Sequence, residues 1–182
     1  MEIVETGIEG LLIVKPQVFG DARGFFFETY NEKRYKNAGI DYKFVQDNIS
    51  SSQYGVVRGL HFQKPPYSQT KLVQVIEGSV LDVAVDLRSG SSTYGKWFSV
   101  ELTSENHWQF LIPRGFAHGF SVLSEKAMFT YKCDNLYNPS SEGGVRFDDP
   151  TLNIDWRIDL NKAITSDKDK KHPFFNELDK IF

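Results

Sequence analysis

Cysteine is almost missing from this chain. One residue, Cys133, among 182 excludes an internal disulfide and any cysteine-rich metal site, and fits a reducing compartment. Long apolar runs are missing too, so no stretch reads as a membrane-spanning helix. The opening residues, MEIVETGIEG, have neither a basic segment nor an apolar core, so they do not read as a signal peptide and a cytoplasmic location is expected. Charge of one sign is also scarce. The net charge is −3, and the one basic cluster, Lys168, Lys170 and Lys171, alternates with Asp167 and Asp169. Nothing there asks for nucleic acid or a membrane surface. Repeats, low-complexity stretches and linkers are absent, and the length suits one domain over residues 1–182.

What is present is aromatic and alternating. The chain holds 15 Phe, 8 Tyr and 3 Trp, a bias that favours a β-rich interior or a pocket that stacks planar ligands. In VLDVAVDL (80–87), Leu81, Val83, Val85 and Leu87 share one face, and Val80, Asp82, Ala84 and Asp86 the other. KLVQVI (71–76) precedes it through Glu77-Gly78-Ser79, which reads as a hairpin. Further strands are expected at 24–30, 43–50, 96–102, 108–112, 119–123 and 127–133. Helix is limited to a short segment capped by Asn31 and stopped at Gly39, and a second opened by Pro173. Residues 137–150 read as a long ordered loop. Many short strands with few helices predict an all-β sandwich or barrel, with a jelly roll as the natural single-domain version.

Four histidines are candidates for chemistry. His118 lies in PRGFAHGF (113–120), and either packs among Phe116 and Phe120 or serves a site. His61 lies in RGLHFQ (58–63) beside Arg58 and Gly59, an arrangement suited to holding an anion next to a proton acceptor. Strict alternation puts Arg58 and His61 on opposite faces, so that reading requires a kink or bulge near Gly59. His107 and His172 lie in polar stretches and are expected to be solvated. PRGFAH resembles half of a cupin metal motif, but Phe62 and Gln63 follow His61 where the other half needs a second histidine and a carboxylate. Two isolated histidines are a poor ligand set for zinc or iron, so no metal is expected. Lys71 is either a solvated strand end or a charge for an oxyanion, and Tyr131 either an aromatic in a strand pair or an acid. Asp82 is either structural or pocket-lining.

Taken together and in order, FGDARGFFFETY (19–30), FVQDNISSSQYGVVRGLHFQKPP (44–66), KLVQVIEGSVLDVAVDLRSGSSTYGKW (71–97), IPRGFAHGFSVL (112–123), YKCDNLYNPSSEGGVRFDDP (131–150) and ITSDKD (164–169) resemble the dTDP-4-dehydrorhamnose 3,5-epimerases. The resemblance runs nearly the whole chain. It implies a cupin-type β jelly-roll barrel with a few short peripheral helices, a homodimer, and a cofactor-free isomerase of deoxysugar biosynthesis acting on a dTDP-linked 4-keto-6-deoxysugar. By resemblance His61 is the base, Asp169 orients its ring, Tyr131 is the acid on the opposite face, and Lys71 and His118 lie around the sugar and its C4 oxygen. Arg23, Glu28, Gln46, Asp47, Asn48, Arg58, Tyr137, Glu142 and Lys168 match the binding residues, with Arg58 on the diphosphate and Tyr137 stacked on thymine. Some of these act across the dimer in the family. The alternatives are a C3-only or C5-only epimerase of a dTDP or CDP sugar, a metal-dependent cupin, and a non-catalytic sugar-nucleotide binder.

Overall fold

The period-two stretches become strands because each can bury one or both of its faces against a neighbouring layer. A computed structural model describes residues 1–182. Its strands are β1 (Glu2–Glu5), β2 (Leu12–Lys15), β3 (Phe19–Asp21), β4 (Gly24–Phe26), β5 (Gln46–Gln53), β6 (Val57–Gln63), β7 (Lys71–Glu77), β8 (Ser79–Asp86), β9 (Trp97–Thr103), β10 (Gln109–Ile112), β11 (Phe116–Val122), β12 (Lys126–Cys133) and β13 (Glu142–Gly144). A six-stranded sheet has the order β1-β2-β10-β7-β12-β5, and a five-stranded sheet the order β13-β6-β11-β8-β9. All of their pairings are antiparallel. The two sheets face each other as a jelly-roll sandwich, and β3 and β4 form a separate exposed hairpin.

Each apolar cluster is one layer of this stack. Val73, Val75, Phe110 and Phe129 of the first sheet meet Val80, Ala84, Phe120 and Val122 of the second. Leu81, Val83 and Val85 turn away from them and pack under Phe147, Leu152, Ile154 and Trp156. This explains why VLDVAVDL is apolar on both faces: its strand is covered on both sides. The outer face of the first sheet, with Val14, Leu72 and Leu111, is closed by Tyr35 and Ile40. Tyr35 sits on the one α-helix, α1 (Glu32–Asn37), where the Asn31 side chain accepts from the Arg34 N–H as expected. No helix is long and apolar enough to cross a membrane.

Four expectations need correction. The Glu77-Gly78-Ser79 turn does not close a hairpin, since β7 and β8 belong to different sheets. Gly78, at φ +78°, is a corner where the chain crosses between them, and a Cβ there would lie 2.0 Å from the Lys126 carbonyl oxygen. Pro173 opens no α-helix; one 3-10 turn, Phe175–Glu177, forms instead. Phe175, Leu178, Ile181 and Phe182 all pack on the outer cluster of the five-stranded sheet. The strand expected over 24–30 stops at Phe26, and the 137–150 loop contains β13.

A candidate active site between the sheets

One end of the space between the sheets is filled by Val75, Val80 and Phe129, and the other is lined with polar side chains. On β7, Lys71 shares the inner face with Val73 and Val75; on β12, Tyr131 shares it with Phe129. From the opposite sheet come Arg58 and His61 on β6 and His118 on β11. These residues border a cavity of about 420 Å³. A second cavity of about 340 Å³ is bordered by Gln46, Asn48, Tyr137 and Glu142. His61, Lys71 and Tyr131 line both, so they form the throat between the two.

Arg58 and His61 face the same side because the strand slips at Gly59. His118 pairs with His61 and Phe120 with Arg58, so two steps on β11 match three on β6. Gly59 has φ +131°, and a Cβ on it would lie 2.5 Å from the Gly119 Cα. Only glycine allows the two backbones to meet there.

Asp169 reaches His61 from 108 residues away. The segment that carries it is fastened at Ile164, whose N–H donates to the Gly55 carbonyl at 2.9 Å and whose carbonyl accepts from Val57 at 3.0 Å. It is fastened again at Pro173, whose carbonyl accepts from the Arg146 N–H. Between these points a single 3-10 turn holds Asp169 with one carboxylate oxygen 2.5 Å from His61 Nε2. Burial pushes the Asp169 carboxyl up, but the hydrogen bond and charge of His61 outweigh it and leave it below the usual carboxylate range. An ionised carboxylate only accepts, so Nε2 carries a hydrogen and Nδ1 of a neutral His61 is left with the free lone pair.

His118 belongs to a second imidazole–carboxylate pair. Its Nε2 lies 2.9 Å and 3.0 Å from the oxygens of Asp82, which is fully buried on the inner face of β8. Burial pulls His118 down and pushes Asp82 up, each toward its neutral form. Lys71 lies 5.9 Å from the centroid of the Tyr131 ring. Burial draws its ammonium below the usual lysine range, against the pull of Cys133, Asp82 and Glu142. Burial also pushes the Tyr131 phenol up, so it keeps its proton at neutral pH.

The nucleotide-binding candidates divide between two places. Gln46 and Asn48 face the second cavity, whereas Asp47 points to the other face of β5 and pairs with Lys132. Gln46 accepts from the Tyr137 N–H, and Glu142 pairs with Lys168, so those four gather at one mouth. The Arg58 guanidinium donates to Ser52 Oγ and has no carboxylate partner, which leaves it free for an anion. Arg23 and Glu28 border neither cavity; they pair with Asp21 and Arg34.

Two histidines expected to be solvated are half-buried. His107 packs at a tilt against Phe25 and Phe27, with ring centroids at 4.5 Å and 4.9 Å. The His172 ring lies edge-on to His61 at 5.7 Å, and its buried Nε2 has no hydrogen-bond partner. Its spacing of three residues from Asp169 was the only signal, and the irregular chain around it has no period to exploit. Ser50, Thr165 and Ser166 also line the larger cavity without having been singled out.

Comparison with known proteins identifies the family of the chain. Residues 5–177 match the family described as dTDP-4-dehydrorhamnose 3,5-epimerase. The dTDP-4-dehydrorhamnose 3,5-epimerase of Salmonella typhimurium is 50% identical over 178 residues, with 97% of each chain covered. The crystal structure of the enzyme of the same name from Elizabethkingia anophelis superposes with a TM-score of 0.93 at 54% identity, covering 97% of each chain. A dTDP-6-deoxy-D-glucose-3,5-epimerase from Legionella pneumophila, crystallised with dTDP-4-keto-L-rhamnose, gives a TM-score of 0.93 at 49% identity, covering 98% of this chain and 94% of that one. The chain belongs to the dTDP-4-dehydrorhamnose 3,5-epimerase family.

Proposed function

We propose that this chain, as one domain over residues 1–182, is an epimerase that inverts C3 and C5 of dTDP-4-dehydro-6-deoxy-D-glucose to give dTDP-4-dehydro-L-rhamnose, needing no cofactor. The observation that carries the reading is the throat: His61 from one sheet faces Tyr131 from the other, with Lys71 beside them. Inversion requires a proton to leave one face of a carbon and another to arrive on the opposite face. An imidazole and a phenol on opposing sheets supply those two directions.

In each half-reaction His61 takes the hydrogen next to the C4 ketone as a proton. The C–H electrons move into an enolate whose negative charge sits on the C4 oxygen. The Lys71 ammonium is the candidate to stabilise that oxygen, and its partial desolvation strengthens the attraction. Asp169 stabilises the imidazolium. Tyr131 then protonates the carbon from the other side, and solvent returns a proton to the phenolate and removes one from His61. Arg58 serves the diphosphate, and Gln46, Asn48, Tyr137, Glu142 and Lys168 the nucleotide. Arg23 and Glu28 lie off their own cleft, which fits a homodimer in which they serve the partner's nucleotide end. His118, held by Asp82, borders the sugar. Asp47 is removed from this set by its outward direction.

The test is NMR of the 4-ketosugar nucleotide incubated with the chain in heavy water. Deuterium at both C3 and C5 with inversion is the expected result. Label at one carbon indicates a mono-epimerase, and nucleotide binding with no exchange indicates a binding module. His61→Ala is expected to abolish exchange while nucleotide binding survives.

A further inference from the structure

The three donors around His61 form more than an acid–base pair. Ligand atoms of His61, Asp169 and His172 all lie within 4.8 Å of one another. The carboxylate is buried, the His61 side chain opens onto the larger cavity, and the third member has a buried nitrogen with nothing to bond. A buried imidazole nitrogen without a partner is uncommon and calls for a reason. We propose that His61, Asp169 and His172 form an inhibitory binding site for a divalent transition-metal ion, zinc above all, which shuts off proton transfer by occupying the base.

Two imidazoles and one carboxylate suit zinc and its neighbours, and do not suit magnesium or calcium, which prefer all-oxygen shells. Nitrogen and oxygen ligands sit about 2.0–2.2 Å from zinc, so they lie roughly 3.3 Å apart around a tetrahedral ion. His61 and Asp169 are closer than this at 2.5 Å because a hydrogen lies between them, and the widest separation in the group is greater. Side-chain shifts of about 1 Å therefore complete the three-ligand face. The ion takes the place on Nε2 of the hydrogen that His61 shares with Asp169, that hydrogen moves to Nδ1, where it consumes the lone pair that would act as the base, and the fourth position opens to water in the cavity. No bond of the substrate is involved: the imidazole keeps its one hydrogen, now on Nδ1, and has no lone pair left to take a proton from carbon. His172 has no part in the proposed proton transfer, so it separates the metal site from the reaction.

The loss of activity on zinc binding rests on the assignment of His61 as the base; the binding itself does not. The test titrates metal-free protein with zinc chloride by calorimetry and follows heavy-water exchange of the sugar nucleotide in the same samples. One zinc per chain is expected, with exchange falling as the site fills. His172→Ala, and His172→Asn as a second variant should the first melt early, are expected to exchange normally without zinc. Both should bind zinc more weakly by on the order of tenfold or more and resist inhibition. Equal zinc affinity in wild type and both variants, no binding by wild type, or undiminished exchange at saturation would each overturn the proposal. If His61→Ala still exchanged, the base assignment would fail instead, with the calorimetric dependence on His172 left as the judge of the site.

Discussion

Asp169→Asn isolates what the carboxylate does for His61. The substitution keeps the size and hydrogen-bonding reach of the side chain and removes its charge. The wild-type contact is a charge-assisted hydrogen bond at 2.5 Å to a buried carboxylate. Such bonds contribute about 1.5–3 kcal/mol, and the imidazolium formed during proton abstraction draws on them most. If that whole difference falls on the transition state, exchange slows by roughly 10- to 150-fold, since each 1.4 kcal/mol is a factor of about ten. The loss should appear in kcat, with KM little changed, because Asp169 supports the base and not the nucleotide. Heavy-water exchange at C3 and C5 under saturating substrate measures it, with circular dichroism and a thermal melt as folding controls. A folded Asp169→Asn protein that exchanges within about twofold of wild type would refute the argument.

Other consequences concern the acid, the scaffold and pH. Tyr131→Phe is expected to let proton abstraction at His61 continue while inversion fails, so NMR should show deuterium incorporated with retained configuration; normal inversion would remove Tyr131 from its role. Gly59→Ala places a Cβ 2.5 Å from Gly119 and 2.8 Å from the His118 carbonyl oxygen at a positive φ, and should cost more than about 3 kcal/mol in a denaturant titration. Asp86, held at about 2 by Arg88, Thr93 and Ser91 against the upward push of burial, stabilises the fold. Its folded value lies below the unfolded one, so the stabilisation is complete above pH ~4 and is lost as pH falls toward 2. Asp86→Asn should therefore lower the melting temperature at neutral pH, by the equivalent of about 1–2 kcal/mol, with the gap closing through that window.

Alternation made the central strand legible, since VLDVAVDL keeps an apolar residue at every second position from Leu81 to Leu87. It could not say which strands pair, and Gly78 became a corner between sheets where a hairpin was expected. The strand carrying His61 was hidden because the slip at Gly59 breaks its period, although that slip was itself required to bring Arg58 and His61 to one side. The Pro173 segment had helix signals, yet it forms only one 3-10 turn, with Phe175, Leu178, Ile181 and Phe182 packed against a sheet. The site residues came from motifs, which name positions but give no distances. That His118 is tied to Asp82 and that His172 abuts His61 are facts of three-dimensional contact with no local signature, whereas the outward turn of Asp47 follows from alternation between Gln46 and Asn48.

The carboxylate that steadies His61 rides on an irregular span whose backbone is fastened near Ile164 and Pro173 and whose Lys168 pairs with Glu142, while the imidazole itself stands on a strand in the middle of a sheet. The two halves of this pair therefore do not share one fate on warming. A loosening of the span that leaves both sheets intact is enough to disarm the molecule, so catalytic power fades at a lower temperature than the one at which the sandwich comes apart.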